Sequence, residues 1–265
     1  MSFATAPTEL EEFVEAPAAF TPAEPSAALV STPRYVLRAN VGGWRTSVQR
    51  IRLDPDEIED ALEAVRSFMR VTGTPVGSWW ISEHSTPTGL EASLLTRGLS
   101  IVEDDYLIDG LLLTGPPAAA PAGVVARAVE SAEEYALAVR AQDDAFETPP
   151  ARRLSPDALV EEYGATYDPD VSTLYAVWVD GRIAGGGRAS FSTRGVHMAG
   201  ESTAPWARGR GAYRALVRAR WDAAVERGTP ALAVSAGAMS APILHRLGFE
   251  KVCAFRRLED VLDGT

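Results

Sequence analysis

The stretch Thr203-Ala204-Pro205-Trp206-Ala207-Arg208-Gly209-Arg210-Gly211-Ala212-Tyr213-Arg214 decides how this chain is read. It joins an apolar strand pattern over Val196–Thr203 to a helix over 207–227, in which Leu216, Ala219 and Ala223 share one face. Small residues at 207, 209, 211 and 212 let the backbone approach a ligand closely. Such a turn aims the unpaired N–H groups of a helix N-terminus at one point. Hydrogen bonding and the helix dipole both favour an anion there. Arg208, Arg210 and Arg214 add positive charge within one turn. The segment can therefore hold a pyrophosphate without a P-loop lysine. The plainer alternative is a tight strand-to-helix connection with a basic surface. A Rossmann reading fails, because Arg214 stands at the third glycine position of G-x-G-x-x-G.

Upstream of this segment, Val124–Val129 reads as a strand, Ala132–Ala145 as a helix and Leu159–Tyr163 as a short helix. Leu174–Val179 and Arg182–Ser190 flank the tight turn Asp180-Gly181, a hairpin signature. Downstream come a strand over 231–235, a helix over about 241–247 and a closing strand from Phe249 to about Leu258. Residues 116–122 are the clearest linker, part of a Pro/Ala-rich run over 114–122.

The first 119 residues follow a related plan. Strands are expected at Tyr35–Ala39, Val48–Leu53, Val76–Ile81 and 106–113. A helix capped by Asp54 or Asp56 runs to about Arg70, and another opens at Thr86-Pro87. Gly73-Thr74-Pro75, a strand, Ser85-Thr86-Pro87 and a Leu-rich helix echo Gly228-Thr229-Pro230, a strand, Ser240-Ala241-Pro242 and a Leu-rich helix. The echo suggests a divergent duplication. Residues 1–33 read as a flexible, acidic Ala/Pro/Glu-rich arm, with a short helix over Thr8–Glu15. The expected organisation is an arm over 1–33, a first domain over 34–115, the linker, and a second domain over 123–265.

Composition bounds the chemistry. The 265 residues carry a net charge of −11. Residues 1–119 hold 17 acidic and 8 basic side chains; residues 120–265 hold 19 and 17. Such acidity disfavours nucleic acid or an anionic membrane as partner. With one cysteine, Cys253, the chain can form no internal disulfide and no thiolate zinc cluster. His84, His197 and His245 show no metal-ligand spacing, so no metal is expected. Lys251 is the only lysine, and there is neither a P-loop nor a G-x-S-x-G elbow. No apolar run reaches the ~18 residues of a membrane span, and no basic n-region opens a signal peptide. The expected location is the cytoplasm.

Residues 203–249 resemble the GNAT family, the acetyl-CoA-dependent N-acetyltransferases. The matching pieces are Pro205, Arg208-Gly209-Arg210-Gly211, the helix to Arg227, the strand Ala231–Ser235, and Ile243-Leu244-His245-Arg246-Leu247-Gly248-Phe249. The order of elements from 124 onward also suits that family, so the resemblance covers about residues 120–258. It implies an α/β fold of the acyl-CoA N-acyltransferase type: a mixed, mostly antiparallel twisted sheet flanked by helices. The echo extends this to a tandem arrangement, with residues 34–115 as a degenerate half lacking the loop and offering no second coenzyme A site.

The resemblance implies that Arg208, Gly209, Arg210, Gly211, Ala212 and Tyr213 wrap the pyrophosphate of acetyl-CoA with backbone N–H groups. Ser202, Thr203 and Ala204 would pair with pantetheine, and Val234–Ala236, including Ser235, would line the other side of the thioester. The implied activity is acetyl transfer to a primary amine, of a small molecule, by direct attack in a ternary complex. Two departures matter. Tyr213 replaces the small residue that usually closes the loop, and Leu244 stands where many members carry the tyrosine that protonates the leaving thiolate. The rival reading is a non-catalytic acyl-CoA-binding or regulatory interaction module. Acetylation of protein N-termini is a third. The sequence admits a homodimer.

A general base would remove the amine proton. His197 is the first candidate, since an imidazole titrates in the useful range; its alternative is a strand histidine with no role. Glu201 is the second, and its alternative is an ion pair with an arginine such as Arg188. Four positions apart, the two face the same side of an unbulged strand and could form a water-linked relay. Asp143, Asp144 and Glu147 lie where the family covers its acceptor and would suit a cationic amine. Ser240 and Thr86 read as helix caps.

Overall fold

The structure is a computed structural model and describes residues 7–22, 26–103, 106–166 and 168–262. In chain order it contains α1 (Glu9–Glu15), β1 (Ala27–Ser31), β2 (Val36–Asn40), β3 (Arg45–Gln49), α2 (Ile58–Thr72), β4 (Val76–Ser82) and α3 (Leu90–Leu95). Then follow β5 (Ser100–Ile101), β6 (Leu107–Leu113), β7 (Val124–Ala128), α4 (Ala132–Ala145), α5 (Pro156–Thr166), β8 (Ser172–Val179) and β9 (Arg182–Phe191). The chain closes with β10 (Val196–Ala199), α6 (Ala212–Glu226), β11 (Leu232–Ala236), α7 (Ala241–Arg246) and β12 (Glu250–Val261). Among the described residues no helix is long and apolar enough to cross a membrane, and no group of His, Cys, Asp or Glu is arranged to hold a metal.

Two compact units form, and neither is a continuous segment. The first comprises residues 1–112, 235–244 and 250–265; the second comprises 113–234 and 245–249. The division differs from a cut at the 116–122 linker, and the reason is strand pairing. The expected closing strand, β12, pairs antiparallel with β4 and β6 of the first unit, from Val261↔Val76 to Phe255↔Ser82 and from Glu250↔Leu112 to Arg256↔Leu107. An apolar period of two marks a strand but does not name its neighbours.

In the first unit the strand order is β1-β2-β3-β4-β12-β6, with β5 on β12. β3 and β4 run parallel, joined by α2, and the other described pairs of this unit are antiparallel. The amphipathic face of α2 places Ile58, Leu62, Val65 and Met69 in one core with Val48, Trp79, Ile81 and Leu94. α3 begins at Leu90, later than the Thr86-Pro87 start expected from sequence. Thr86 does not cap it; its hydroxyl donates to Leu53 O at 2.9 Å.

The arm differs from its expectation. Residues 1–6 and 23–25 lie outside the described residues, but between them Thr8 and Glu11 form a capping box on α1. Phe13 and Val14 are buried, and Glu15, buried as well, meets Arg52 in a two-pronged ion pair at 2.6 and 2.9 Å. Glu15 also accepts from the Ser82 hydroxyl. A polar, Pro-broken segment is ordered here by partners far away in sequence.

The second unit has the order β11-β10-β9-β8-β7; β10 and β11 run parallel, joined by α6, and the other described pairs are antiparallel. Asp180 and Gly181 both take positive φ in the β8–β9 turn, as an Asp-Gly hairpin requires. α4 and α5 cover one face, packing Tyr135, Ala138 and Leu159 on Leu174 and Ala176 of β8. The repeated strand, helix, parallel strand and short helix of β3-α2-β4-α3 and β10-α6-β11-α7 are the structural form of the sequence echo.

Candidate active site

The site is built where β10 stops pairing with β11. That pairing runs from Val196↔Leu232 to Met198↔Val234. On its other side β10 registers with β9 as far as Ala199↔Arg188; then Ser202 N donates to Gly186 O at 2.8 Å and Ala204 N to Ala184 O at 2.7 Å. From Ala199 to Ser202 is three steps, against two from Arg188 to Gly186, so one extra residue is inserted opposite Gly187. This is a β-bulge. Gly200, at φ +68°, makes the turn.

The bulge corrects the proposed relay. Registered residues of neighbouring strands share a face. Leu174 packs with α4 and α5, so Arg188, Ala199, Ser190 and His197 face those helices. Glu201 faces α6 instead, where its carboxylate accepts from Arg220 Nη1 at 2.6 Å. His197 and Glu201 thus lie on opposite faces and form no relay. The partner of Glu201 is Arg220, not Arg188.

The ion pair is deeply enclosed, with the side chain of Arg220 0% and that of Glu201 7% exposed. Arg220 also donates to Leu216 O and Arg188 O, while its Nη2 is buried without a hydrogen bond. Three consecutive glycines make room. A Cβ on Gly187 would stand 2.7 Å from Arg220 Nη1, one on Gly186 2.8 Å from Tyr175 O, and one on Gly185 2.2 Å from Ser202 O. Gly185-Gly186-Gly187 was therefore the available sequence signal for this close approach.

The strand end and the loop separate the expected donor-binding residues by what their backbones are free to do. Ser202 and Ala204 spend their N–H groups on β9. Thr203, between them, points its amide the other way by strand alternation, and its Oγ1 is buried without a hydrogen bond. Gly209 and Gly211 take φ of +77° and +86°, and no side chain caps α6. The first N–H groups of that helix have no intrahelical acceptor. Space beside Gly209 is open, whereas a Cβ on Gly211 would stand 2.6 Å from Pro121, so the small size of Gly211 serves packing of the linker. Arg208 is exposed and Arg210 pairs with Asp180. The Arg214 Nε is buried without a hydrogen bond.

Ala212 and Tyr213 form the first turn of α6. The Tyr213 phenol is pushed above its ordinary range by burial and by the Glu201 carboxylate, with Arg220 opposing, so it adds no charge to the loop. Arg218 and Arg220, further along the same helix, are engaged elsewhere: Arg218 holds Asp222 at 2.9 Å and Pro117 O at 3.3 Å, and Arg220 holds Glu201. Ser235 is half-buried on β11 and belongs to the first unit. On the α4 and α5 face, Arg188 lies with Ser172, Tyr135 and Glu162, none of which carries a motif signal. Tyr135 is pushed up by burial first and then by Glu162, with Arg188 opposing. Asp143 and Asp144 pair with Arg140 and Arg153, and Gln142 ties the end of α4 to Gly200 O at 2.7 Å.

The corresponding place in the first unit is different. The approach to α2 is closed by a capping box between Asp54 and Glu57, and Asp56, Glu57, Glu59 and Asp60 crowd its start. Carboxylates occupy the helix end that an anion would need.

A parallel strand-helix-strand unit within a mostly antiparallel sheet flanked by helices is the plan of the GNAT acyltransferase fold; this chain carries that plan twice, and its second copy has the glycine-flanked helix start without a side-chain cap. A GCN5-related N-acetyltransferase from Kribbella flavida aligns over 98% of both chains with a TM-score of 0.70 and 23% identity. One from Sphaerobacter thermophilus aligns over 89% of this chain and 80% of its own, with a TM-score of 0.59 and 18% identity. A tandem GNAT protein from the clavulanic acid biosynthesis pathway aligns over 99% of this chain and 90% of its own, with a TM-score of 0.58 and 17% identity. No family model and no curated protein matches the sequence.

Proposed function

We propose that the chain is an acetyl-CoA-dependent N-acetyltransferase acting in the cytoplasm on a primary amine of a small molecule. The observation that carries this reading is the asymmetry of the two helix approaches: α6 opens without a side-chain cap behind two left-handed glycines, while the turn Pro55–Glu57 that leads into α2 is closed by an Asp54–Glu57 capping box and followed by Glu59 and Asp60.

The residues present fit the donor. The N–H groups at Gly209–Tyr213, with Arg208 and Arg214, would hold the pyrophosphate, and the Thr203 amide would pair with the pantetheine arm. Bound acetyl-CoA supplies the acetyl group as a thioester. His197 is the group we assign as general base, taking the amine proton on the α4 and α5 face as the amine nitrogen bonds to the acetyl carbon; the carbon–sulfur bond would break and coenzyme A would leave as the thiolate, to be protonated by water. Glu201 acts through the bulge, because its charge is committed to Arg220.

A second reading, a non-catalytic acyl-CoA-binding module, is favoured by one observation: Leu244, fully buried, offers no proton donor in place of the usual tyrosine. Acetyl transfer to a panel of small primary amines, measured beside coenzyme A binding, separates the two. The enzyme reading expects turnover, and His197→Ala is expected to lower kcat/KM by about 100-fold or more at neutral pH with binding of coenzyme A intact. Tight binding without transfer to any amine supports the module.

A further inference from the structure

We propose that Trp206, oriented by Arg182, is a stacking platform for the adenine ring of the acyl donor, so that the site takes its acyl group from free coenzyme A and not from the phosphopantetheine arm of a carrier protein. The proposal rests on the acetyl-CoA reading above and refines the class of donor.

Trp206 lies in the single turn Pro205–Ala207, directly before the glycine-rich loop. Ala207 N donates to Ala204 O at 2.9 Å and Arg210 N to Ala207 O at 3.3 Å. Residues 204–210 are therefore two successive tight turns, and the indole is held at the entrance of the phosphate-binding segment. Tryptophan is highly buried on average, yet this one keeps 38% of its surface exposed. The guanidinium of Arg182, at the start of β9, lies over the ring with its carbon 4.4 Å from the centroid. That cation–π contact fixes the ring plane. An arginine covers one face of a ring; the exposed share of the indole is left for another flat group.

Charge points to the same occupant. Arg182 lies over the ring, and Arg208 and Arg210, two and four residues beyond Trp206 in the chain, are exposed as well. The Asp180–Arg210 pair ties the β8–β9 turn, which also carries Arg182, to the loop. Adenosine 3′-phosphate, the end of coenzyme A beyond the pyrophosphate, offers both a base to stack and an anion for those arginines. A carrier-protein arm ends in a single phosphate and has no base.

Titration calorimetry on the full chain tests this with two probes, coenzyme A and 4′-phosphopantetheine. The wild-type chain is expected to prefer coenzyme A by about tenfold or more, the scale of one base–aromatic stack. Trp206→Ala should lose about that factor for coenzyme A and bind 4′-phosphopantetheine as before, while Trp206→Phe should retain most of the preference. If the wild-type chain binds both probes equally, or Trp206→Ala weakens both equally, the platform is overturned and the acetyl-CoA reading stands. Failure of the wild-type chain to bind either probe overturns both.

Discussion

Arg220 is a fully buried arginine whose guanidinium reaches a carbonyl on its own helix, a carbonyl on β9 and the Glu201 carboxylate in the bulge. A charge removed from water is tolerated only when paired, and removing one partner of a buried pair costs about 3–5 kcal/mol. Arg220→Gln is therefore expected to lower stability by about that amount in urea unfolding. The double substitution Glu201→Leu/Arg220→Met should recover most of the loss, because no charge is then left stranded. A single-variant loss below about 1 kcal/mol would show that the pair does not hold the bulge. At this scale the sequence is legible in part. The Arg208-Gly209-Arg210-Gly211 loop was legible because its composition and its conformation coincide: both glycines take left-handed φ. Arg220 was not, because a helix start rich in arginine suggests one anion site, although its position four residues after Leu216 and four before Ala224 puts it on the buried face. Gly185-Gly186-Gly187 held the missing information, since a glycine run in a strand marks close backbone approach.

β7 and α4 are tied through Arg127 and Glu134, whose carboxylate accepts two guanidinium hydrogen bonds and one from the Glu130 amide. Arg127 first, with the Glu130 amide assisting, holds the Glu134 carboxyl below its ordinary range against the effect of burial. A carboxyl with a depressed folded-state pKa stabilises above its unfolded value of about 4.3, and the contribution is lost as pH falls through the folded value. Urea unfolding between pH 3 and 6 should therefore show an acid limb that is shallower in Glu134→Gln; an unchanged limb would mean that the tie contributes nothing in solution. Elements of this kind were legible where the pattern is local. The α4 bounds Ala132–Ala145 agree with the sequence reading, and Ser131 caps the helix. α1 escaped beyond its short helical signature because its anchors, Arg52 and Ser82, are 37 and 67 residues from Glu15. β10 was read as running to Thr203, whereas Gly200 ends it and inserts the bulge.

Across the whole chain, two copies of one strand-helix-strand plan have been given opposite electrostatics at the helix start. The charge arithmetic anticipated this: residues 1–119 carry a net −9 and residues 120–265 a net −2. What it could not anticipate is that β12 sits between β4 and β6 in the first unit, since strand partners are chosen by long-range pairing that no local period encodes. The functional consequence is a stoichiometry. Asp54 and Glu57 close the turn that leads into α2, and Asp56, Glu57, Glu59 and Asp60 along that turn and the first turn of the helix repel a pyrophosphate. The start of α6 offers unpaired N–H groups and arginines instead. Calorimetry should therefore find one coenzyme A per chain, although the fold is present twice. Gly209→Glu, which places a carboxylate and a left-handed φ in conflict at the loop, should abolish that single event and uncover no weaker second one. Two binding events in the wild-type chain, or one that survives Gly209→Glu, would move the donor site away from the loop and remove the physical basis for treating the two halves as functionally unequal.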